Sequence, residues 1–448
     1  MAMSKVARAI TPRLLTALGD TPAVMLVGPR QAGKSTLVQS LADGPHPARY
    51  LSLDDLRTLE AARRDPVGLI DDAGGPLIID EIQRAPELLL PIKASIDRDR
   101  RPGRFILTGS AQVMLLPTVS ESLAGRVEVH TLWPFSQAEI EGAAGRIVEL
   151  LLDASSRPSP APAITREGLI ERIVRGGFPE ALAREADRRE DWLAAYLSAT
   201  VQRDLRDLAN IERLTQIPAV LASLASRVRA PLNKTEVSSS VGIPRTSLDR
   251  YLTLLEHVFL VHSLPAWHTN RIKQITKAPK ILLSDSALLT HLLRTNPGRL
   301  AEDDMLLGSV LECFAGMELV KQLSATSTRA TLMHMRTATG AEVDFVLEGA
   351  DGRLAGIEIK ASATIRREDF KHLARLREEI GERFVRGVVL YTGGERLPFG
   401  ERLETWPLAT LWTDPDVCAD NSGGADNRTS AHQGRPARGR PDRRARRR

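Results

Sequence analysis

An α/β fold around a parallel sheet is what this sequence predicts, on three observations. Short apolar strands alternate with helical stretches through residues 1 to about 140. The first strand, Ala23-Val-Met-Leu-Val27, runs into a glycine-rich loop and then a helix, Thr36 to Ala42. Two later strands end in polar groups: Leu77-Ile-Ile-Asp80-Glu81 in acids, Arg104-Phe-Ile-Leu-Thr108-Gly-Ser110 in hydroxyls. Open parallel sheets bind ligands at the C-terminal ends of their strands, so these polar tips mark the expected site.

The loop is the most specific element. Gly28, Pro29, Arg30, Gln31, Ala32, Gly33, Lys34, Ser35 and Thr36 satisfy G-x-x-x-x-G-K-[ST] between a strand and a helix. Glycine permits the backbone turns that converge N–H groups on phosphate oxygens, and it leaves the ligand unobstructed. Lys34 reaches the β- and γ-phosphates, and the Ser35 hydroxyl ligates Mg²⁺. ATP and Mg²⁺ are the expected cofactors. Asp80 would hold Mg²⁺ from the opposite strand, and Glu81 would polarise the attacking water as a general base. Thr108 or Ser110 would sense the γ-phosphate, and Arg126 would complete the site as an arginine finger, from a neighbouring subunit if the chain forms a homo-oligomer. Each also has a plainer reading, a solvated strand tip or a surface charge.

Length and composition bound the rest. The 448 residues allow two to four domains, and 42% apolar with 26% charged residues is ordinary for a soluble chain. No signal peptide and no long apolar span is legible, so a cytoplasmic protein without a membrane partner is expected. The two cysteines, Cys313 and Cys418, are far apart in sequence and context, and no zinc-ligand spacing occurs. Nine arginines against one aspartate in residues 428–448 exceed the chain's whole net charge of +5, so the body is slightly acidic. That tail reads as disordered; it either holds nucleic acid by phosphate contacts or is dispensable. The expected order is an α/β domain over 1–150, a linker over 151–163, a helical region over 164–275, a mixed α/β domain over 276–413 and the tail over 414–448.

Within the helical region, Asn233 would cap a helix from Lys234 to Val241, Gly242 would make the turn, and a second helix would run to about His257. Val237, Val241, Ile243, Leu248, Leu252 and Leu255 would form its core, with Phe259–Leu264 as a wing strand. Arg245, Thr246, Ser247 and Arg250 would face outward where recognition helices meet base edges. DNA is one expected partner; a winged-helix lid packed on protein is the other reading.

Further on, Glu342-Val-Asp-Phe-Val-Leu-Glu348 and Arg353-Leu-Ala-Gly-Ile-Glu-Ile-Lys360 alternate as strands about the turn at Asp351. In that register Asp344 faces Glu358, with Cβ atoms about 5 Å apart, near enough to share a divalent ion. Alternation would place Glu342, Asp344, Glu358 and Lys360 on one face, and Val343, Phe345, Ile357 and Ile359 on the other. A metal between the acids would favour an active site; a lysine or arginine filling the gap would argue against it. A hairpin with a charged outer face is the plain alternative.

Together these residues resemble a family of prokaryotic AAA-type ATPases whose C-terminal half is a domain of unknown function. The resemblance covers about residues 1–413. It runs from the loop through Tyr50–Asp55, Ile79–Gln83, Leu107–Ser110, Ser122–Arg126, Gly176–Glu180, Arg203-Asp204, Lys280 with Asp285, and Glu342–Phe345, to Gly393–Trp412. It implies an AAA-like ATPase domain and no settled substrate. The Asp…Glu-x-Lys pattern resembles the PD-(D/E)XK nucleases, which implies that Asp344 and Glu358 bind Mg²⁺ and that Lys360 assists catalysis. Glu312, chosen over Glu318, stands where that fold often adds a third acid. The expected function is a Mg²⁺-dependent ATPase acting with DNA, its nucleotide state gating a nuclease-like domain. The alternative is a nucleotide-gated regulatory switch, or a toxin–antitoxin or defence component, whose C-terminal half binds protein and does not cleave.

Overall fold

The computed structural model describes residues 6–109, 123–205, 214–270, 274, 277–337 and 340–413. Ser110, Ser122, Cys418 and the arginine-rich tail lie outside the described residues.

The N-terminal part comprises α1 (Thr11–Asp20), β1 (Ala23–Val27), α2 (Lys34–Ala42), β2 (Arg49–Ser52), α3 (Leu56–Arg64), α4 (Pro66–Asp71), β3 (Leu77–Asp80), α5 (Leu89–Arg98), β4 (Phe105–Gly109) and β5 (Val127–Thr131). Among the described residues the strands form a parallel five-stranded sheet in the order β2-β3-β4-β1-β5. Strand β1 is buried along its whole length, which is why it reads as an unbroken apolar run. Its residues divide between the two faces, Met25 with Ile79 and Leu107 on one side, Val24 and Leu26 with Ile78 and Ile106 on the other.

A helical region follows: α6 (Gln137–Glu141), α7 (Ile147–Leu152), α8 (Arg166–Arg175), α9 (Pro179–Leu182), α10 (Ala186–Ala199), α11 (Ile217–Ala225), α12 (Lys234–Val241) and α13 (Arg245–His257). The Asn233 side chain caps α12 by accepting from the N–H groups of Thr235 and Glu236, and Gly242 makes the turn at φ +73°. Val237, Ile243, Leu248 and Leu255 are buried, whereas Val241 and Leu252 are only partly covered. Strand β6 (Val261–Leu264) is shorter than expected because Phe259 takes φ +57°, which breaks extended pairing. It pairs antiparallel with β7 (Lys280–Leu283).

The expected linker is not loose. Residues 153–165 carry no helix or strand, yet Ala161 is buried, the Ile164 N–H donates to the Thr392 carbonyl and Arg386 donates to the carbonyls of Asp153 and Ser156. Backbone carbonyls that accept from a buried guanidinium hold this segment against the C-terminal sheet.

Next come α14 (Ser286–Leu292), α15 (Pro297–Glu302), α16 (Asp304–Ala325), β8 (Ala330–Arg336), β9 (Glu342–Gly349), β10 (Leu354–Lys360), α17 (Lys371–Ile380), β11 (Phe384–Tyr391), β12 (Pro398–Gly400) and β13 (Leu403–Pro407). Described strands order as β12-β13-β11-β10-β9-β8. Helix α16 is buried on all sides from Val310 to Gln322, packed against β7, β10 and α7, as an apolar helix must be. One apolar cluster runs from Trp133 to Trp412 and joins the helical region to this sheet.

The β9–β10 register is the expected one, with Phe345 opposite Ile357 and Glu348 opposite Leu354. The facing pattern differs. On β8, Met333 pairs with Val346 and Met335 with Val343, so two residues of β9, Asp344 and Phe345, oppose His334 alone. This bulge resets the alternation. Val343 therefore joins the core cluster of Val346 and Leu354, while Phe345, Ile357 and Ile359 pack in the other.

Candidate functional site

The glycine-rich loop has the geometry its sequence requires. Gly28 at φ +152° and Gly33 at φ +95° occupy backbone states that L side chains rarely adopt. A Cβ at Gly28 would stand 2.1 Å from the Leu132 carbonyl oxygen, so no other residue fits there. Gly33 is the N-cap of α2 and makes no side-chain cap, which leaves the first N–H groups of the helix open to an anion. Lys34 is buried, and its Nζ donates to the carbonyls of Gly28 at 3.0 Å and Pro29 at 2.9 Å. The ammonium thus lies inside the loop's curve, where phosphate oxygens would compete for it. Ser35, in the first turn of α2, and Arg30 are half-buried, and Gln31 and Thr36 are exposed.

Parallel pairing brings the other expected residues to the same sheet edge. Leu26 pairs with Thr108, Ile79 with Leu107 and Ser52 with Asp80. Asp80 is 3% exposed and accepts from Tyr50 Oη at 2.8 Å through one oxygen and from Thr108 Oγ1 through the other. Burial and the Asp80 carboxylate push the Tyr50 hydroxyl up to about 12. Each carboxylate oxygen has two acceptor sites, so Asp80 retains capacity toward a Mg²⁺ or its water shell. Ser35 and Asp80 offer hard oxygen donors, the chemistry that ion takes.

Glu81 leaves the strand at φ +60°, a conformation that costs a non-glycine residue about 1–2 kcal/mol. Its N–H donates to Thr108 Oγ1 at 3.1 Å, and its carboxylate accepts from Gln83 Nε2. Thr108 is therefore bonded to both adjacent acids. Arg126 is placed elsewhere: it precedes Val127, which pairs with Ala23 at the opposite end of β1, about 15 Å away along the strands. It makes a two-point ion pair with Asp97 at 2.7 and 3.0 Å. Within one chain Arg126 does not complete the loop site.

The C-terminal acids are brought together around a lysine. Lys280 is wholly buried, with Nζ 2.7 Å from Glu312 and 2.9 Å from Glu342. Burial opposes its charge, but Glu312, Asp344 and Glu342 outweigh this and hold its pKa above the ordinary value. Glu312 is pushed up to about 8 by burial and by Asp344, against the pull of Lys280. Burial, then Asp344, raises Glu358 well above the carboxylate range, and Glu358 Oε1 has no hydrogen-bond partner among the described residues. The pairing ladder stops at Phe345–Ile357, and the Asp344 carboxylate instead accepts the Ile359 N–H at 2.9 Å. Lys360 lies 3.8 Å from both Glu358 and Asp369. Among the described residues, no group of three or more His, Cys, Asp or Glu is placed to hold a metal ion. As placed, Glu312, Asp344 and Glu358 do not fit a shared divalent ion; Lys280 supplies the nearby positive charge. Glu318 faces away, bonded to the Gln137 N–H and Lys321.

On α13, Arg245, Thr246 and Arg250 are exposed and Ser247 half-buried, a polar face that begins at the helix N-terminus. No described helix is long and apolar enough to cross a membrane.

Several site residues carry no local sequence signal. Arg8 reaches the loop from before α1, and its partner Glu139 lies 131 positions away. The capping-box pattern Ser136-x-x-Glu139 is a sequence signal that could have marked that acid. Lys280 was marked, with Asp285, only by the family resemblance, and the fold is what brings Glu312 and Glu342 to it.

Residues 20–141 match the model of an AAA domain, and residues 166–299 and 307–411 match two domains of unknown function, DUF8612 and DUF4143. Uncharacterized protein Mb2031c of Mycobacterium bovis and Rv2008c of Mycobacterium tuberculosis are each 30% identical, over 90% of this chain and 84% of theirs. An uncharacterized protein of Haemophilus influenzae is 22% identical over 48% of this chain and 51% of its own. A solved structure, the RuvB Holliday junction branch migration motor of Thermotoga maritima, aligns at 19% identity with a TM-score of 0.28. That alignment covers 57% of this chain and 89% of the motor.

Proposed function

We propose, for a chain that belongs to the family of the two mycobacterial proteins and carries an AAA-type P-loop ATPase domain, a Mg²⁺-dependent ATP hydrolase acting with DNA. The observation that carries this reading is the meeting of Lys34, Asp80, Glu81 and Thr108 at one edge of a parallel sheet. The N–H groups of the loop and the α2 N-terminus bind the phosphates. Lys34 gives up the Gly28 and Pro29 carbonyls for the β- and γ-phosphates. Ser35 and Asp80 would hold Mg²⁺, which would supply charge neutralisation at the phosphates. Glu81 takes a proton from the attacking water, and Thr108 fixes Glu81 relative to Asp80. Arg126 serves only from a neighbouring copy, which ties full turnover to homo-oligomerisation.

The exposed Arg245, Thr246 and Arg250 on α13 support a winged-helix surface for DNA. Lys280 favours a C-terminal half that binds and does not cleave: its buried ammonium already pairs with Glu312, the acid that would supply a third ligand, and with Glu342. The nucleotide state then gates binding, as in the regulatory alternative.

ATP turnover with and without duplex DNA tests the ATPase and its DNA coupling together. DNA-stimulated turnover supports the reading; turnover indifferent to DNA leaves the protein-binding switch. Comparing Asp344→Ala with wild type on linear, branched and single-stranded DNA, with Mg²⁺ or Mn²⁺, tests the second site. Cleavage by wild type that this substitution abolishes restores the nuclease reading.

A further inference from the structure

Arg8 stands outside the loop motif and before the first helix, yet it is one of the most constrained side chains near the site. It is 8% exposed. Its Nη1 donates to the Ala32 carbonyl at 2.9 Å, its Nη2 to the Trp133 carbonyl at 2.6 Å, and its Nε to Glu139 at 3.1 Å. The guanidinium lies over the Phe135 ring, 4.5 Å from its centroid. Glu139 is held in turn by the N–H groups of Ala9 at 2.8 Å and Ser136 at 2.9 Å.

The Ala32 contact matters because of peptide geometry. In a planar trans peptide the carbonyl of one residue and the N–H of the next point in opposite directions. By holding the Ala32 carbonyl, Arg8 therefore also fixes the orientation of the Gly33 N–H, which points the opposite way. Gly33 sits at φ +95° and is free to rotate away; its missing side chain offers no resistance. Glu139 and Phe135 keep the guanidinium planar and aimed, which a lysine at this position could not reproduce.

We propose that Arg8 is a positioning residue of the nucleotide site, pinning the Ala32–Gly33 peptide so that the loop is pre-formed for phosphate, with Glu139 as its anchor. The inference rests on the P-loop reading above. A pre-formed loop pays its ordering cost before the ligand arrives, so losing the pin weakens nucleotide binding more than it slows the chemical step.

The test uses the full chain with ATP and ADP, and reads KM, kcat, nucleotide Kd and apo-protein melting temperature. Arg8→Ala is expected to raise KM and the ADP Kd about tenfold or more, with kcat within about threefold. Arg8→Lys, which keeps the charge and one donor toward Ala32, should recover part of that loss; Glu139→Gln should fall between wild type and Arg8→Ala. Unchanged KM and Kd in Arg8→Ala overturn the proposal, as does a loss of affinity that simply tracks the fall in melting temperature across the three variants. Lys34→Ala separates the two levels. If it too leaves nucleotide binding intact, the P-loop reading fails; if it abolishes binding while Arg8→Ala behaves as wild type, only the Arg8 proposal fails.

Discussion

Lys280 Nζ lies 2.7 Å from Glu312 Oε1, with the lysine wholly buried and the glutamate 5% exposed. Glu342 approaches the same ammonium at 2.9 Å, and Arg229 reaches the other Glu312 oxygen at 3.6 Å. Breaking one partner of a buried pair leaves an uncompensated charge, at a cost of about 3–5 kcal/mol. Lys280→Met should therefore destabilise the protein by that amount in chemical denaturation. Adding Glu342→Gln should restore part of that loss, because an acid left without its counter-charge is then neutral. A Lys280→Met protein as stable as wild type would mean that the acids find another counter-charge.

Glu81→Gln should leave ATP binding intact and cut turnover by about 10²–10⁴-fold, the usual worth of a positioned base. Thr108→Val removes the hydroxyl that bonds both Asp80 and Glu81 and should also slow turnover, with less effect on ATP affinity. Steady-state kinetics beside equilibrium nucleotide titration separates the two effects. Equal turnover in Glu81→Gln and wild type would remove Glu81 from the mechanism.

His334 is 1% exposed, and its Nδ1 has no hydrogen-bond partner among the described residues. Burial, reinforced by the Lys280 charge, pushes it down to about 4 from the ordinary 6.5. Its folded pKa lies below the unfolded one, so between these values the unfolded chain takes up a proton that the fold refuses. Stability contributed by the neutral ring is full above pH 6.5 and falls away as pH drops toward 4, by up to about 3 kcal/mol. Thermal melts from pH 7 to 4.5 should show a shallower decline in His334→Gln than in wild type. Parallel curves would show that this ring does not govern the acid limb.

Arg245→Glu with Arg250→Glu reverses the charge on the exposed face of α13 without touching its core. Duplex DNA binding should weaken, and the dependence of log Kd on log salt should lose about 0.9 per phosphate contact removed. Melting temperature should stay within about 2 °C, since both side chains are exposed. Unchanged DNA affinity would assign this face to protein packing or to solvent.

The sheet that carries the loop was legible because its signals are local. An unbroken apolar run fixes β1 as a buried strand, two glycines fix the loop, and acids at a strand tip fix β3. The hairpin register of β9 and β10 was legible for the same reason, since the turn at Asp351 sets it. Its facing pattern was not, because the bulge at Asp344 and Phe345 arises from pairing with β8, some ten residues upstream.

By itself, then, the sequence determined the nucleotide loop, its acids and the helix–turn–helix order, all of which depend on neighbours within a few residues. Tertiary structure alone decided that Arg126 lies at the far end of the sheet, that Arg8 and Glu139 close on the Ala32 carbonyl, and that Lys280 enters the C-terminal acids. Each of those depends on strand direction or on packing of α16 and β7, and burial then selects partners by charge. Removing an ion from water costs several kcal/mol, so a buried charge persists only where the fold supplies its opposite.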